Sequence, residues 1–171
     1  MIKLKNKKTF NLVFGGIIAA AYVVLTLVSS AFGLAYGPIQ FRLSEVLTIL
    51  PIFTPAAIPG LIVGCLISNL GSPNAIDLIF GTLATAIAAY LTYSLRNIKI
   101  KNFPFLAFLP PILVNGILVG FEISYFFLDG FTYLGFLISG LEVTLGQTAV
   151  CFLLGTPLYF WIEKHKNNIF K

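Results

Sequence analysis

The sequence is poor in the residues on which most enzymes and metalloproteins depend. It has one histidine and two cysteines among 171 residues, and only 10% of its residues are charged, against roughly 25% in an ordinary soluble domain. The histidine, His165, lies in the basic C-terminal segment. This placement removes Ser-His, Cys-His and H-E-x-x-H catalytic arrangements from consideration. The sequence therefore predicts a protein that is not an enzyme.

Several binding motifs are missing as well. Cys65 and Cys151 lie in apolar segments, with no CxxC pair and no imidazole at metal-ligand spacing, so we expect two buried cysteines and no metal site. The chain has no G-x-x-x-x-G-K-[ST] phosphate loop, so it cannot hydrolyse ATP by itself. Any energy input must come from partner subunits. No cofactor of its own and no nucleic-acid partner is predicted.

Apolar residues are abundant instead. They make up 58% of the chain, and the mean hydropathy is +0.95. Four apolar runs, at residues 10–32, 75–95, 103–128 and 131–162, reach the ~20 residues that a spanning helix needs. The first run is too long for the apolar core of a removable signal peptide. We therefore predict an all-α, polytopic protein of the plasma membrane, forming one domain over residues 1–171.

The segment at residues 39–70 leaves two alternatives, one kinked helix or a hairpin of two short helices. Pro51 and Pro55 each remove a helix donor and disfavour helical geometry in the preceding residue, whereas Pro59 suits the first turn of a following helix. The prolines therefore favour the hairpin, which gives six spans instead of five.

Charge distribution supports six spans. The basic residues lie at positions 3–8, 96–101 and 164–171, apart from Arg42. Six spans place ten of the eleven cations on one side of the membrane, which the positive-inside rule makes cytoplasmic. Both termini are then cytoplasmic. The predicted transmembrane helices lie near residues 10–31, 39–53, 56–70, 75–95, 104–125 and 132–162.

The second and third predicted helices are short. At ~1.5 Å per residue, fifteen residues cover ~22 Å of a ~30 Å hydrocarbon core. If the turn between these two helices lies near the inner interface, the helices end before they reach the outer surface of the membrane. The remaining space then forms a crater that is open to the outside and lined by residues 31–40 and 71–74. Irregular backbone at that depth must face protein or water.

A few ionisable groups remain in the outer half. Such groups are costly in a membrane, so they are usually functional or paired. They are Arg42, Glu45, Asp77, Glu122, Asp129 and Glu142. One alternative is a simple Arg42–Glu45 pair at i, i+3 spacing.

Helical spacing groups these residues with small and polar neighbours. One stripe comprises Asp77, Gly81, Thr85 and Ala88, and another comprises Gly135, Ser139, Glu142 and Gly146. The amides of Asn69, Asn115 and Gln147 either join the ligand site or serve only as interhelical hydrogen bonds. A crater rich in carboxylates suits a cationic or donor-rich ligand.

The first helix carries small residues at close spacing. Gly15, Gly16, Ala19 and Ala20 form two overlapping small-x-x-x-small pairs. They predict a docking surface for a partner helix, or close packing against the protein's own helices.

Several motifs in the first half resemble the QueT family. They are YGPIQFRLSE at residues 36–45, LTILP at 47–51, IPGL at 58–61, NLG at 69–71 and DLIFGTLAT at 77–85. The resemblance implies the six-helix bundle of a substrate-binding (S) component of an energy-coupling factor transporter. It also implies a queuosine precursor as substrate, a 7-deazaguanine such as preQ0 or preQ1. The implied partners are a transmembrane coupling subunit and two ATPase subunits.

The chemistry of a deazaguanine fits the predicted site. A carboxylate can accept its ring N–H and exocyclic amine together, and an amide or guanidinium can donate to its carbonyl. Glu142 or Glu122 is predicted for the first role, and Asn69, Asn115 or Arg42 for the second. Two other functions stay open from the sequence. They are a stand-alone secondary transporter or channel, and an intramembrane enzyme using Glu122 and Glu142.

Overall fold

The computed structural model describes residues 7–36, 40–128 and 130–169. Within these ranges the chain is almost entirely helical, as predicted. The elements are α1 (Lys7–Ala31), a 3-10 helix (Leu43–Ile52), α2 (Ala57–Asn69), α3 (Asp77–Leu95), α4 (Phe105–Phe126), α5 (Tyr133–Ala149), a π-helical turn (Val150–Leu154) and α6 (Gly155–Ile169).

Four helical units among the described residues are long and apolar enough to cross a membrane. They are α1, α3, α4 and the continuous α5–α6 unit, which runs for 37 residues from Tyr133 to Ile169 through the π-helical turn. The 3-10 helix and α2 are shorter apolar segments. The four long predicted helices are thus confirmed, and the full count of six spans stays a prediction.

The second predicted helix differs from expectation. Residues 40–42 are not helical, and the segment from Leu43 to Ile52 is a 3-10 helix instead of an α-helix over residues 39–53. Arg42 has an extended backbone, and in an α-helix the ring of Pro51 would clash with the carbonyl of Leu47. A 3-10 run of ten residues is unusually long, and such runs often mark functional segments.

The predicted break at the prolines is confirmed. The chain turns at residues 53–56, and α2 begins at Ala57 with Pro59 in its first turn. Both cysteines are buried and free, also as expected.

Glycines set how closely the helices approach. A Cβ added at Gly120 would lie 2.6 Å from the Cα of Gly140, and one at Gly116 would collide with the hydroxyl of Thr144. On the other side of the bundle, a Cβ at Gly60 would lie 2.6 Å from the carbonyl oxygen of Gly15. The pairs α4–α5 and α1–α2 are therefore in backbone contact, as small residues allow in membrane bundles.

The outer faces of the helices are apolar. Leu12, Ile17 and Leu27 on α1 and Leu141 and Leu145 on α5 are all more than half exposed. Contiguous apolar surface of this kind marks a membrane or protein interface. The length and composition of the four long helices favour a membrane here.

Two basic segments meet at one end of the bundle. The Glu163 carboxylate lies 2.8 Å from the ammonium of Lys166 and 4.0 Å from that of Lys99. Nearby, the ring of Tyr159 packs against those of Phe53 and Phe103. The 96–101 loop, the 53–56 turn and α6 therefore share one end, which agrees with the clustering that charge predicted.

Candidate functional site

A polar chamber lies inside the half of the bundle away from this basic end. Its walls come from the segment before the 3-10 helix, the 3-10 helix itself, α3, α4 and α5. The lining residues are Gln40, Arg42, Glu45, Asp77, Gly81, Thr85, Asn115, Val119, Glu122, Val143 and Gln147. Six of the eight predicted substrate-binding residues thus line one chamber.

A wider vestibule adjoins the chamber. It has a volume of about 480 Å³, and it includes Gln40 and Asp77, which also line the chamber. Tyr36 and Asn74 belong to the vestibule as well, so it lies where the crater was predicted. The chamber holds only about 10 Å³, the space of roughly one water molecule. A ligand larger than a water molecule must therefore widen the chamber to enter it.

Glu45 is held in place at the chamber floor. It is only 4% exposed, one carboxylate oxygen accepts a hydrogen bond from the Tyr22 hydroxyl, and the other accepts from the Gln147 side-chain nitrogen at 2.9 Å. These bonds connect α1, the 3-10 helix and α5. Charged hydrogen bonds of this type are stronger than neutral ones, so Glu45 and Gln147 form a fixed carboxylate–amide pair.

Arg42 is directed toward α2 and the loop after α1. Its Nε donates to the Ala35 carbonyl at 2.8 Å, its Nη1 donates to the Asn69 side-chain oxygen at 3.3 Å, and its guanidinium lies 4.9 Å from the centre of the Tyr36 ring. No Arg42–Glu45 ion pair occurs among the described residues, so the simple i, i+3 pair is wrong.

Asn69 and Tyr36 support this arrangement. The Asn69 nitrogen donates to the Asp77 carbonyl at 2.9 Å, so its amide joins α2 to α3. The Tyr36 hydroxyl donates to the Ser68 carbonyl at 2.8 Å. Burial raises the pKa of the Tyr36 phenol, which keeps it a neutral donor. Asn69 thus serves as an interhelical hydrogen-bonding group beside the chamber.

Two further carboxyl groups face the chamber from α3 and α4. Asp77 is in the first turn of α3 and accepts a hydrogen bond from the Ser72 hydroxyl. Glu122 is 1% exposed, and its Oε1 has no hydrogen-bond partner among the described residues. Two turns earlier on α4, the Asn115 nitrogen donates to the Pro111 carbonyl at 2.7 Å.

Glu142 lies apart from these groups. It lines the vestibule and is half-buried, whereas the chamber wall of α5 consists of Val143 and Gln147. The α3 stripe of Asp77, Gly81, Thr85 and Ala88 is buried along its whole length, as its spacing predicted. On α5 only Ser139 and Gly146 of the corresponding stripe are buried. Asp129 lies outside the described residues.

Tyr22 and Gln40 contribute to the site although neither was named as a substrate-binding residue from the sequence. Tyr22 reaches Glu45 from the middle of α1, and Gln40 joins the chamber to the vestibule. A phenol in the middle of an apolar run was the available signal for Tyr22, because a buried tyrosine hydroxyl needs a partner. Gln40 was predicted only as part of the 31–40 segment that lines the crater.

The small residues of α1 divide between two faces. Gly15 and Ala19 are buried against α2, where they meet Gly60 and Gly64. Gly16 and Ala20 are exposed, and a Cβ at Gly16 would meet nothing within 4 Å. The first pair therefore packs inside this protein, and only the second pair is free to meet a partner helix.

Comparison with known proteins agrees with this picture. A family model described as QueT transporter matches residues 12–164. A protein named Queuosine precursor transporter QueT, from Lactococcus lactis subsp. cremoris (strain MG1363), is 40% identical over 84 residues, which is 49% of this chain and 50% of that protein. The alignment thus spans about half of the relative's length. No solved structure matches this chain. Because the family model covers most of the sequence, the chain belongs to the QueT transporter family.

Proposed function

We propose that the chain is the substrate-capture (S) subunit of an energy-coupling factor importer and that it binds a queuosine precursor of the 7-deazaguanine class from outside. Coupling and ATPase subunits supplied in trans then drive import. Membership of a transporter family rules out the intramembrane enzyme that the sequence left open. The relative's name supplies the substrate class, and the missing phosphate loop supports an external source of energy.

The observation that carries this proposal is the Glu45–Gln147 pair. A deazaguanine presents two adjacent donors, the ring N–H and the exocyclic amine, next to a carbonyl acceptor. A carboxylate beside an amide nitrogen is the complement of that edge. In the chamber the Gln147 nitrogen donates to Glu45 at 2.9 Å. A bound base exchanges that bond for its own, so no buried polar group loses its partner.

This assignment changes the roles expected from sequence. Glu142 is in the vestibule, and the Arg42 side chain, although it lines the chamber, already donates to Ala35 and Asn69. We therefore assign recognition of the base edge to Glu45 and Gln147. Asn115 lines the chamber too and can donate to the carbonyl of the base, whereas Val119 and Val143 offer apolar surface for its flat sides. Glu142, with the other vestibule residues, suits the first encounter with a donor-rich ligand.

Transport assays test the proposal directly. The purified chain in liposomes should bind labelled 7-deazaguanine but not accumulate it, and uptake should appear only when coupling and ATPase subunits and ATP are added. A nucleotide analogue that is not hydrolysed serves as the control. Accumulation by the chain alone, without ATP, would contradict the proposal and favour a secondary transporter or channel.

The orientation can be tested independently. We propose that the 96–101 loop and α6 end in the cytoplasm, because their cations cluster with Glu163 at one end. In a Lys99→Cys variant, a membrane-impermeant maleimide should label the new cysteine only after the cells are permeabilised. In a Gly130→Cys variant, whose new cysteine lies in the exposed loop before α5, the same maleimide should label intact cells. The reverse pattern would place the chamber on the inner side and contradict capture from outside.

A further inference from the structure

One oxygen of the buried Glu122 side chain has no hydrogen-bond partner among the described residues. This side chain is 1% exposed and lines the chamber, and the oxygen without a partner is Oε1. A buried carboxyl oxygen without a hydrogen-bond partner is costly, more so at membrane depth. Such an atom in a native protein calls for an explanation, and a ligand that completes it is one.

Asp77 stands next to Glu122. The two side chains interact, and both belong to the chamber wall. One oxygen of Asp77 is occupied by Ser72. Asp77 also lines the vestibule, so this carboxyl pair lies on the entry side of the chamber.

More acidic than basic groups line the chamber. Among the described residues that line it, Arg42 is the one cation, and Glu45, Asp77 and Glu122 are three carboxyl groups. The hydrogen bonds of Arg42 go to Ala35 and Asn69, not to Glu122. Among the described residues, no cation forms an ion pair with Asp77 or Glu122.

We propose that Asp77 and Glu122 form a subsite for an ammonium group carried by the base. The chain would then prefer a deazaguanine with a protonated aminomethyl substituent over one with an uncharged nitrile at the same position. This inference rests on the proposed function, because it assumes that a deazaguanine occupies the chamber. A cation between two carboxylates gains charge-assisted hydrogen bonds that a nitrile cannot make.

The spacing of the two subsites suits such a ligand. The Gly116–Thr144 and Gly120–Gly140 contacts fix the antiparallel register of α4 and α5. In this register Gln147 and Glu122 are about two to three turns apart, a separation on the order of 10 Å along the helix axis. The donor edge of a bicyclic base and a substituent on its five-membered ring are at opposite ends of the molecule. One ligand can therefore reach both pairs.

Calorimetric titration of the purified chain with three bases tests the subsite: aminomethyl-7-deazaguanine, nitrile-7-deazaguanine and unsubstituted 7-deazaguanine. The wild type should bind the aminomethyl compound tightest, by about 10- to 100-fold, the range expected for a hydrogen-bonded charge. Glu122→Gln should lose that preference and still bind the other two within about threefold of wild type. Glu163→Gln, which removes a carboxylate at the basic end, should keep the wild-type preference.

The outcomes separate the two proposals. If none of the three bases binds the wild type, the proposed function fails. If the wild type binds all three equally, or if Glu122→Gln keeps the preference, the ammonium subsite is overturned and the proposed function stands. Loss of all three bases in a folded Glu122→Gln protein would assign Glu122 to the base and also overturn the subsite. If that variant does not fold, Asp77→Asn is titrated in its place with the same criteria.

Discussion

Replacing Glu45 with glutamine is expected to weaken deazaguanine binding by roughly 100- to 1000-fold. The carboxylate accepts hydrogen bonds from Tyr22 and Gln147 and is proposed to accept two donors from the base. A hydrogen bond to a charged group contributes about 1.5–3 kcal/mol and a neutral one about 1 kcal/mol less, so losing one bond and neutralising the other costs roughly 2.5–4 kcal/mol, which corresponds to a change of this size. Glutamine keeps the size of the side chain but offers one acceptor oxygen in place of two.

Calorimetric titration of wild type and Glu45→Gln with unsubstituted 7-deazaguanine measures this effect. Glu163→Gln again serves as a charge-matched control, because Glu163 lies at the opposite, basic end of the bundle. Thermal unfolding of each variant separates weaker binding from loss of the fold. A folded Glu45→Gln protein that binds within threefold of wild type would show that the base is not read by Glu45.

Replacing Gly120 with alanine is expected to destabilise the bundle by about 1–3 kcal/mol, the usual cost of overpacking. The added Cβ would lie 2.6 Å from the Cα of Gly140 and 2.9 Å from its nitrogen, and backbone atoms cannot move aside as a flexible side chain can. Helices α4 and α5 must separate. Because Glu122 is on α4 and Gln147 is on α5, the same shift moves the two proposed ligand subsites apart.

The measurement is the thermal unfolding midpoint in detergent, with and without base. A loss of about 1–3 kcal/mol corresponds to a drop of roughly 2–12 °C in a chain of this size. Gly16→Ala provides the matched control, since its Cβ meets nothing within 4 Å and α1 gains a better helix former. Equal midpoints for the two variants would contradict the close α4–α5 contact.

Sequence patterns that lie within a single segment predicted the local structure correctly. The apolar runs gave four long helices, and the prolines gave the turn at residues 53–56. The α3 stripe from Asp77 to Ala88 was buried as its spacing predicted. These features are local, because hydrophobic length and helical periodicity follow from the order of residues alone.

The sequence was less informative where two backbone states compete. The segment before Pro51 has the composition of an apolar α-helix, yet it forms a 3-10 helix that begins only at Leu43. Proline sterics and the extended backbone of Arg42 decide the outcome. The 3-10 conformation matters for the site, because this segment carries Glu45 into the chamber.

By itself, then, the sequence determined that this protein is a helical membrane protein with basic residues grouped at one end and costly carboxyl groups elsewhere. Only the tertiary structure decided that Glu45, Asp77 and Glu122 share a chamber while Glu142 lies outside it. It also decided that Gly15 and Ala19 face inward while Gly16 does not. The reason is that periodicity assigns a residue to a helix face, whereas the partner of that face depends on interhelical register. In this bundle the register is set by contacts such as Gly120 on Gly140, between residues twenty positions apart.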